Sequence, residues 1–466
     1  MPGPKTWQLT AGAAAVGLAL AAGAVAVAGP WDSGQRTAER DRAASWDTRG
    51  GAHHGPPKDP EAPAPAPSAP SVLAALGASR AAPVPAALPS ALDQLLADPV
   101  LGPNPAASVL DTATGQVLYA VRADAAMTPA STVKIATATA VLGALPPDHR
   151  FATRVVAPPG SGALTLVGGG DPTLDKARLA ALADDTARAL RARPPGTVQL
   201  TYDTSLFSGP SVHPIGANEN LAPVVALMTD EGRTDGSDSG PAARTSDPAG
   251  DTARAFAELL RARGVRVDGP ASATAPAGAK PVASTLSAPL SEIVERMLTN
   301  SDNDIAEALN RATAIATGGP ASFDGGAVAV PAQLARLQLP LNGSVFTDGS
   351  GLNRADKVTA GLLTRLLAKA ADPARPELRP ILTGLPVAGF TGTLSGRYGA
   401  ASAATGLVRA KTGTLGGAGV NTLAGTVVDA SGHLLAFAFL STGAPGADPV
   451  PVQKALDRLA TRLTAH

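Results

Sequence analysis

The chain has 466 residues, 44% of them hydrophobic, enough for a sizeable core and, at roughly 150 residues per domain, for more than one domain. Its 38 basic and 38 acidic side chains cancel and no long basic run occurs, which argues against nucleic acid as a partner. Cysteine is absent, so disulfides, thiolate nucleophiles and cysteine-ligated metals are excluded, while an oxidising compartment stays allowed.

Lys5 precedes an uncharged run from Leu9 to Gly29 that Pro30-Trp31-Asp32 closes. Residues 1–30 are therefore expected to carry the chain out of the cytoplasm. Ala26-Val27-Ala28 suits cleavage of a signal peptide, and the length of the run suits a retained amino-terminal membrane anchor; cleavage is the preferred reading. Residues 31–88 hold too few large apolar groups for a core and are expected to form a disordered Pro/Ala-rich linker. His53-His54 in that linker is expected to be a solvated pair rather than a metal site.

The folded body is expected to begin near Ala91, with a helix to Ala97 and strands at Ser108-Val109-Leu110 and Gln116 to Val121, joined by a turn at Asp111 to Gly115. Next comes Thr128 to Ala138, where Pro129 closes an extended approach and the small and apolar residues after it favour a helix bearing Ser131 in its first turn. Lys134 lies three residues on, one helical turn away on the same face, so amine and hydroxyl can meet. An amine can activate a serine only where burial or a second cation keeps it partly neutral. A helix amino terminus adds positive potential where an oxyanion would form.

Between the two sets of strands, helices are expected at Leu174 to Arg193 and Thr252 to Arg263, with a Gly-, Ser- and Asp-rich loop at Asp230 to Ala249. Gly168-Gly169-Gly170-Asp171 lacks a following Gly-Lys-Ser/Thr and is expected to be a tight turn, not a phosphate cradle. Ser301 and Asn303 fall between helical patterns at Leu290 to Met297 and Ile305 to Thr317; they can aim a hydroxyl and a carboxamide into one cleft, or Ser301 can cap the second helix. Asp348 to Gly351 lacks the spacing of a nucleophile elbow.

Three more strands are expected at Leu407 to Lys411, Asn421 to Val428 and His433 to Leu440, then a helix whose Val452, Ala455, Leu456, Leu459 and Leu463 share a face. Within Arg409 to Thr414, Lys411 supplies a cation, Thr412 and Thr414 supply hydroxyls, and Gly413 admits a substrate backbone, a set suited to a carboxylate at a strand edge. Strands from both ends of the chain point to one antiparallel sheet flanked by helices, with a helical subdomain and an insertion between.

Ser-x-x-Lys at Ser131, Ser-Asp-Asn at Ser301 and Lys-Thr-Gly at Lys411 occur in the order of the penicillin-recognising serine acyltransferases. With Leu164 to Leu174, Asp203 to Pro210, Leu221 to Leu227 and Asp348 to Arg354, the chain from Ala91 onward resembles the D-alanyl-D-alanine carboxypeptidase/endopeptidase family, the class C low-molecular-mass penicillin-binding proteins of serine peptidase family S13. The resemblance implies an α+β fold of the penicillin-binding-protein/β-lactamase type, an antiparallel sheet flanked by helices plus a helical subdomain, with the catalytic domain at 89–149 and 290–466 and one inserted α/β domain at 150–289. It implies a serine carboxypeptidase acting on peptidoglycan stem peptides outside the cytoplasm, acylated by β-lactam antibiotics, with no metal and no cofactor. Ser131 would be the nucleophile and Lys134 its base; Ser301 and Lys411 would relay a proton, Asn303 would hold the substrate amide, and Thr412, Gly413 and Thr414 would receive the terminal carboxylate, with the backbone N–H groups of Ser131 and Thr414 as oxyanion hole. Two alternatives keep the same residues: a muropeptide sensor that acylates without turnover, and a β-lactamase, for which Glu307-Ala308-Leu309-Asn310 is a faint and badly placed signal.

Overall fold

The computed structural model describes residues 87–191, 196–399, 401–444, 446 and 448–465. The expected export segment and all but the last two residues of the expected linker lie outside them. Among the described residues no helix is long and apolar enough to cross a membrane.

Helix α1 (Leu88–Leu96) starts three residues before the expected Ala91, because Pro89 suits a first helical turn and Leu88, Leu92 and Leu96 bury one face. Strands β1 (Ala106–Asp111) and β2 (Val117–Val121) follow as a hairpin, then α2 (Lys134–Ala144). The middle of the chain contributes β3 (Ala152–Ala157), β4 (Ala163–Val167), α3 (Lys176–Leu190), β5 (Thr197–Asp203), α4 (Pro248–Ala262), β6 (Arg266–Ser272) and β7 (Lys280–Leu286). Five helices come next: α5 (Leu290–Asn300), α6 (Asn303–Ala316), α7 (Phe323–Arg336), α8 (Ala360–Ala371) and the short α9 (Arg379–Thr383). The chain closes with β8 (Val408–Leu415), β9 (Val420–Val428), β10 (Leu434–Ser441) and α10 (Val450–Arg462).

Two five-stranded sheets result. The first has the order β2-β1-β10-β9-β8, antiparallel throughout, so that strands from opposite ends of the chain meet where β1 pairs with β10. Its two faces follow the two-residue period of a strand. Ala436, Ala438 and Leu440 of β10 join one core with α2 and α8, whereas Leu435, Phe437 and Phe439 join the other with α1 and α10. Alanines on the first face let helices approach closely; stacked Phe437 and Phe439, with ring centroids 5.3 Å apart, fill the second. The second sheet, drawn from residues 152–286, has the order β6-β5-β4-β3-β7, parallel from β4 to β6 and antiparallel at β3. Leu164, Leu166, Leu200 and Val198 pack there against Leu179, Leu182, Phe256 and Leu260 of α3 and α4.

Phe437 is fully buried within this double layer. Phe437→Ala is expected to lower the unfolding free energy by about 3–5 kcal/mol in urea titration, and a loss below about 1 kcal/mol would contradict the packing described.

Candidate active site

After Pro129 the chain tightens into a three-ten turn over Ala130–Val133, and the α-helix opens only at Lys134. Ser131 thus precedes α2 instead of occupying its first turn, because Ala130 takes a left-handed φ of 47° and bends the approach. The turn is pinned from the sheet. The hydroxyls of Thr132 and Thr422 donate to the Pro129 carbonyl at 2.7 and 2.8 Å. A Cβ on Gly413 would stand 2.2 Å from Thr422 Oγ1 and 2.7 Å from the Pro129 carbonyl oxygen. The open side of Gly413 is therefore filled by the turn that carries Ser131, and not by space for a substrate backbone. Gly351, at φ 81°, allows an equally close approach from the other side: a Cβ there would lie 2.0 Å from the Ala130 carbonyl oxygen.

Lys134 is fully buried, and its Nζ meets Ser131 Oγ at 2.9 Å, Asn303 Oδ1 at 2.7 Å and the Ser350 carbonyl at 2.7 Å. Burial lowers its pKa to about 8, against the pull of Asp348, Asp302, Glu307 and Asp356. In its neutral form this amine has two N–H groups and one lone pair; with the Asn303 and Ser350 oxygens taking the hydrogens, the lone pair would face Ser131. Lys411, on β8, is also fully buried and donates to the Thr412 carbonyl at 2.9 Å. Burial first, and then the charge of Lys134, holds its amine well below the usual range.

Ser301 closes α5 in a left-handed conformation, φ 58° and ψ 37°, a cost of about 1 kcal/mol or more for a residue with a side chain. The cap of α6 is Asp302, whose Oδ1 accepts from Ile305 N at 2.9 Å, so Ser301 is spared that task. Asn303 opens α6, with its Oδ1 on Lys134 and its Nδ2 donating to the Asn220 carbonyl at 2.9 Å. Opposite lies β8, the edge strand of the first sheet, where Thr412 donates to Thr393 Oγ1 at 2.9 Å. Ser131, Ser301, Asn303, Thr412 and Thr414 line one cleft of about 280 Å³, together with Asn220, Thr393, Arg233 and Arg244.

Beneath the cleft lie two groups of side chains with metal-ligating chemistry, His213, Glu307 and Asp348 in one and Glu231, Asp302 and Asp304 in the other. Protein donors already engage most of them. Glu307 Oε1 accepts from the N–H groups of Gly349 and Ser350 at 3.0 and 2.9 Å, and Asp348 accepts from those of Ser350, Gly351 and Asn353 at 3.1, 2.6 and 2.7 Å. Buried Glu307 thus braces the 348–351 turn, which is a different task from activating a deacylating water. Burial pushes its carboxyl up, as does neighbouring Asp348, while hydrogen bonds from His213, Asp356, Gly351 and Asn353 outweigh burial and hold Asp348 down. Asp356 is raised to about 9 by burial and by Asp348. Glu231 pairs with Arg233 and Arg296 at 2.9 and 2.5 Å, and Asp304 with Arg244 at 3.0 Å.

A serine hydrogen-bonded to a buried lysine and facing a Lys-Thr-Gly edge strand, on an antiparallel sheet between helical layers, defines a penicillin-recognising serine enzyme. The chain belongs to the D-Ala-D-Ala carboxypeptidase 3 (S13) family, whose model matches residues 88–237 and 234–463. It is a serine-type D-Ala-D-Ala carboxypeptidase. It is 38% identical to a carboxypeptidase of Mycobacterium tuberculosis over 86% of this chain and 89% of that one, and 37% identical to carboxypeptidase DacB of Mycolicibacterium smegmatis over 83% and 86%. Among solved structures, penicillin binding protein 4 (dacB) of Haemophilus influenzae superposes with a TM-score of 0.69 at 24% identity, covering 81% of this chain and 99% of that one. Its complex with a β-lactam superposes with a TM-score of 0.64 at 25% identity, with the same coverage.

His213, Asn220, Ser350, Thr393 and the arginines at 233 and 244 went unseen in the sequence as site residues. Asp348 to Arg354 carried a family signal, but a backbone carbonyl such as that of Ser350 or Asn220 has none. Gly413→Ala is expected to slow acylation of Ser131 by a fluorescent penicillin about 10²-fold by displacing the nucleophile turn, read as a second-order rate constant; an unchanged constant would show that the turn yields without consequence.

Proposed function

We propose that the enzyme removes the terminal D-alanine of peptidoglycan stem peptides outside the cytoplasm, through an acyl-enzyme on Ser131, and that β-lactams acylate the same hydroxyl. The observation that carries this is the Lys134 amine 2.9 Å from Ser131 Oγ, buried and lowered to about 8, with its other two contacts both acceptors. Lys134 takes the Ser131 proton as Oγ attacks the carbonyl between the two D-alanines. The N–H groups of Ser131 and Thr414 receive the oxyanion, a stabilisation of about 3–4 kcal/mol per donor. The C–N bond then breaks. The departing amine takes a proton relayed from Lys134 through Ser301 and Lys411, and water releases the acyl group by the same route in reverse. Asn303 is assigned the substrate amide, and Thr412 and Thr414 the terminal carboxylate, reached along the free edge of β8.

The β-lactam complex of the Haemophilus influenzae relative supports the acylation step here. Residues 150–289 are proposed as the inserted domain, and residues 1–30 as a signal peptide or an anchor at the outer face of the membrane.

Ser131→Ala is expected to abolish both penicillin labelling and release of D-alanine from a D-Ala-D-Ala peptide, and Lys134→Ala to lower acylation about 10²–10⁴-fold. A stable adduct without D-alanine release by the wild-type enzyme would favour the sensor; fast hydrolysis of penicillin would favour the β-lactamase. Because an amine is a base only when deprotonated, the wild-type acylation rate is expected to rise with pH through about 8. A rate that falls over that interval would remove Lys134 as the base.

A further inference from the structure

Both acceptors that orient the Lys134 amine are themselves held by one short segment of the middle of the chain. Asn303 presents Oδ1 to Lys134 because its Nδ2 donates to the Asn220 carbonyl at 2.9 Å. Ser350 presents its carbonyl because its own N–H and that of Gly351 are bound by Asp348 Oδ1 at 3.1 and 2.6 Å, and Asp348 Oδ2 meets His213 Nε2 at 3.0 Å. Ile215 N–H donates to His213 Nδ1 at 3.3 Å, so the ring hydrogen sits on Nε2 and points at Asp348. His213, Asp348 and Glu307 side chains are at most 1% exposed, and the imidazole packs edge-on against Phe323 with centroids 5.0 Å apart.

The segment is continuous. Gly216 N–H donates to the His213 carbonyl at 2.8 Å, Asn218 Nδ2 to the Gly216 carbonyl at 2.9 Å, and Asn220 N–H to Asn218 Oδ1 at 2.8 Å. Leu221 and Val224 just beyond it pack on Phe323, and Ala222 N–H donates to Asp304 Oδ1 at 2.9 Å. We infer that the segment His213 to Asn220 positions the general base, fixing through Asn303 and through Asp348 the two oxygens that turn the Lys134 lone pair toward Ser131. His213 and Asn218 are positioning residues in this scheme; neither touches the reacting atoms. The inference rests on Lys134 being the base.

The distinguishing measurement is the acylation rate constant per titrated active site as a function of pH, with KM for a D-Ala-D-Ala peptide and thermal unfolding alongside. The charged or titratable groups facing Lys134 are Asp302, Glu307, Asp348, Asp356 and Lys411, and those facing His213 are Asp348 and Glu307; all are retained in the variants. His213→Leu is expected to slow acylation about 10- to 100-fold and to displace the pH midpoint by about half a unit or more, with KM within about twofold. His213→Gln, whose amide can donate to Asp348, is expected to recover most of the rate. Asn218→Ala, on a partly exposed loop that should fold without it, is expected to slow acylation several-fold in the same manner, and it decides the matter if His213→Leu fails to fold. Variants that unfold at lower temperature yet acylate at the wild-type rate and midpoint would overturn the inference. Lys134→Ala, run in parallel, separates the two readings: if it too acylates normally, the base assignment fails; if it alone is slow, only the positioning role fails.

Discussion

A lysine amine taken wholly out of water is the constraint on which the site depends. Burying an ammonium without compensation is strongly unfavourable, and the ordinary response is to release the proton. Around Lys134 the fold stops partway. Asp302, Glu307, Asp348 and Asp356 favour the charge that burial disfavours, and the balance settles near 8 instead of collapsing as it does for Lys411, which has Lys134 for a neighbour. One buried amine thereby keeps a pKa within reach of neutral pH, while the other, beside it, is held further toward its uncharged form. Holding two lysines in one interior needs the carboxylates to be near but not in contact, and Asp302, Glu307 and Asp348 each accept from backbone N–H groups.

That division of labour explains the architecture between the motifs. Glu307 on α6 and Asp348 both clamp the turn 348–351, so their charge reaches Lys134 through space while the turn offers a neutral carbonyl. Beneath the cleft wall, Glu231, Asp302 and Asp304 are set against Arg233, Arg244 and Arg296, and burial with mutual repulsion raises Glu231 to about 8 and Asp304 to about 7. These pairs tie the loop around Glu231 to the Ser301 turn. The middle of the chain is accordingly more than an appendage: its sheet is distinct from the first, yet Asn220, Arg233 and Arg244 from its loops line the cleft.

Close backbone approach is the other structural requirement. The nucleophile's turn is held between Gly413 on β8 and Gly351, each with no room for a methyl group. β8 is the edge strand of the sheet, paired to β9 on one side and met at its start on the other by Val387, which bridges to Arg409. Segments more than 300 residues apart are joined where β1 pairs with β10, so the hairpin that leads to the Ser131 turn and the Lys-Thr-Gly strand belong to one sheet.

Sequence periodicity and turn chemistry alone set out the five strands of the first sheet, the amphipathic face of α10 and the three motifs, since alternation, caps and short spacings are local properties. The three motifs also identified the family, and Ser131 and Lys134 could be paired because one helical turn brings them together whatever surrounds them. Boundaries were less legible where a single backbone angle decides, as at Ala130, which delays α2, and at Ser301, which leaves the cap to Asp302. Which space Gly413 keeps open, and which oxygens complete the Lys134 shell, were settled only in three dimensions. The carbonyls of Ser350 and Asn220 carry no side-chain signature, and His213 meets Asp348 across 135 residues; such contacts depend on how helices and loops pack, a property that no stretch of sequence expresses by itself.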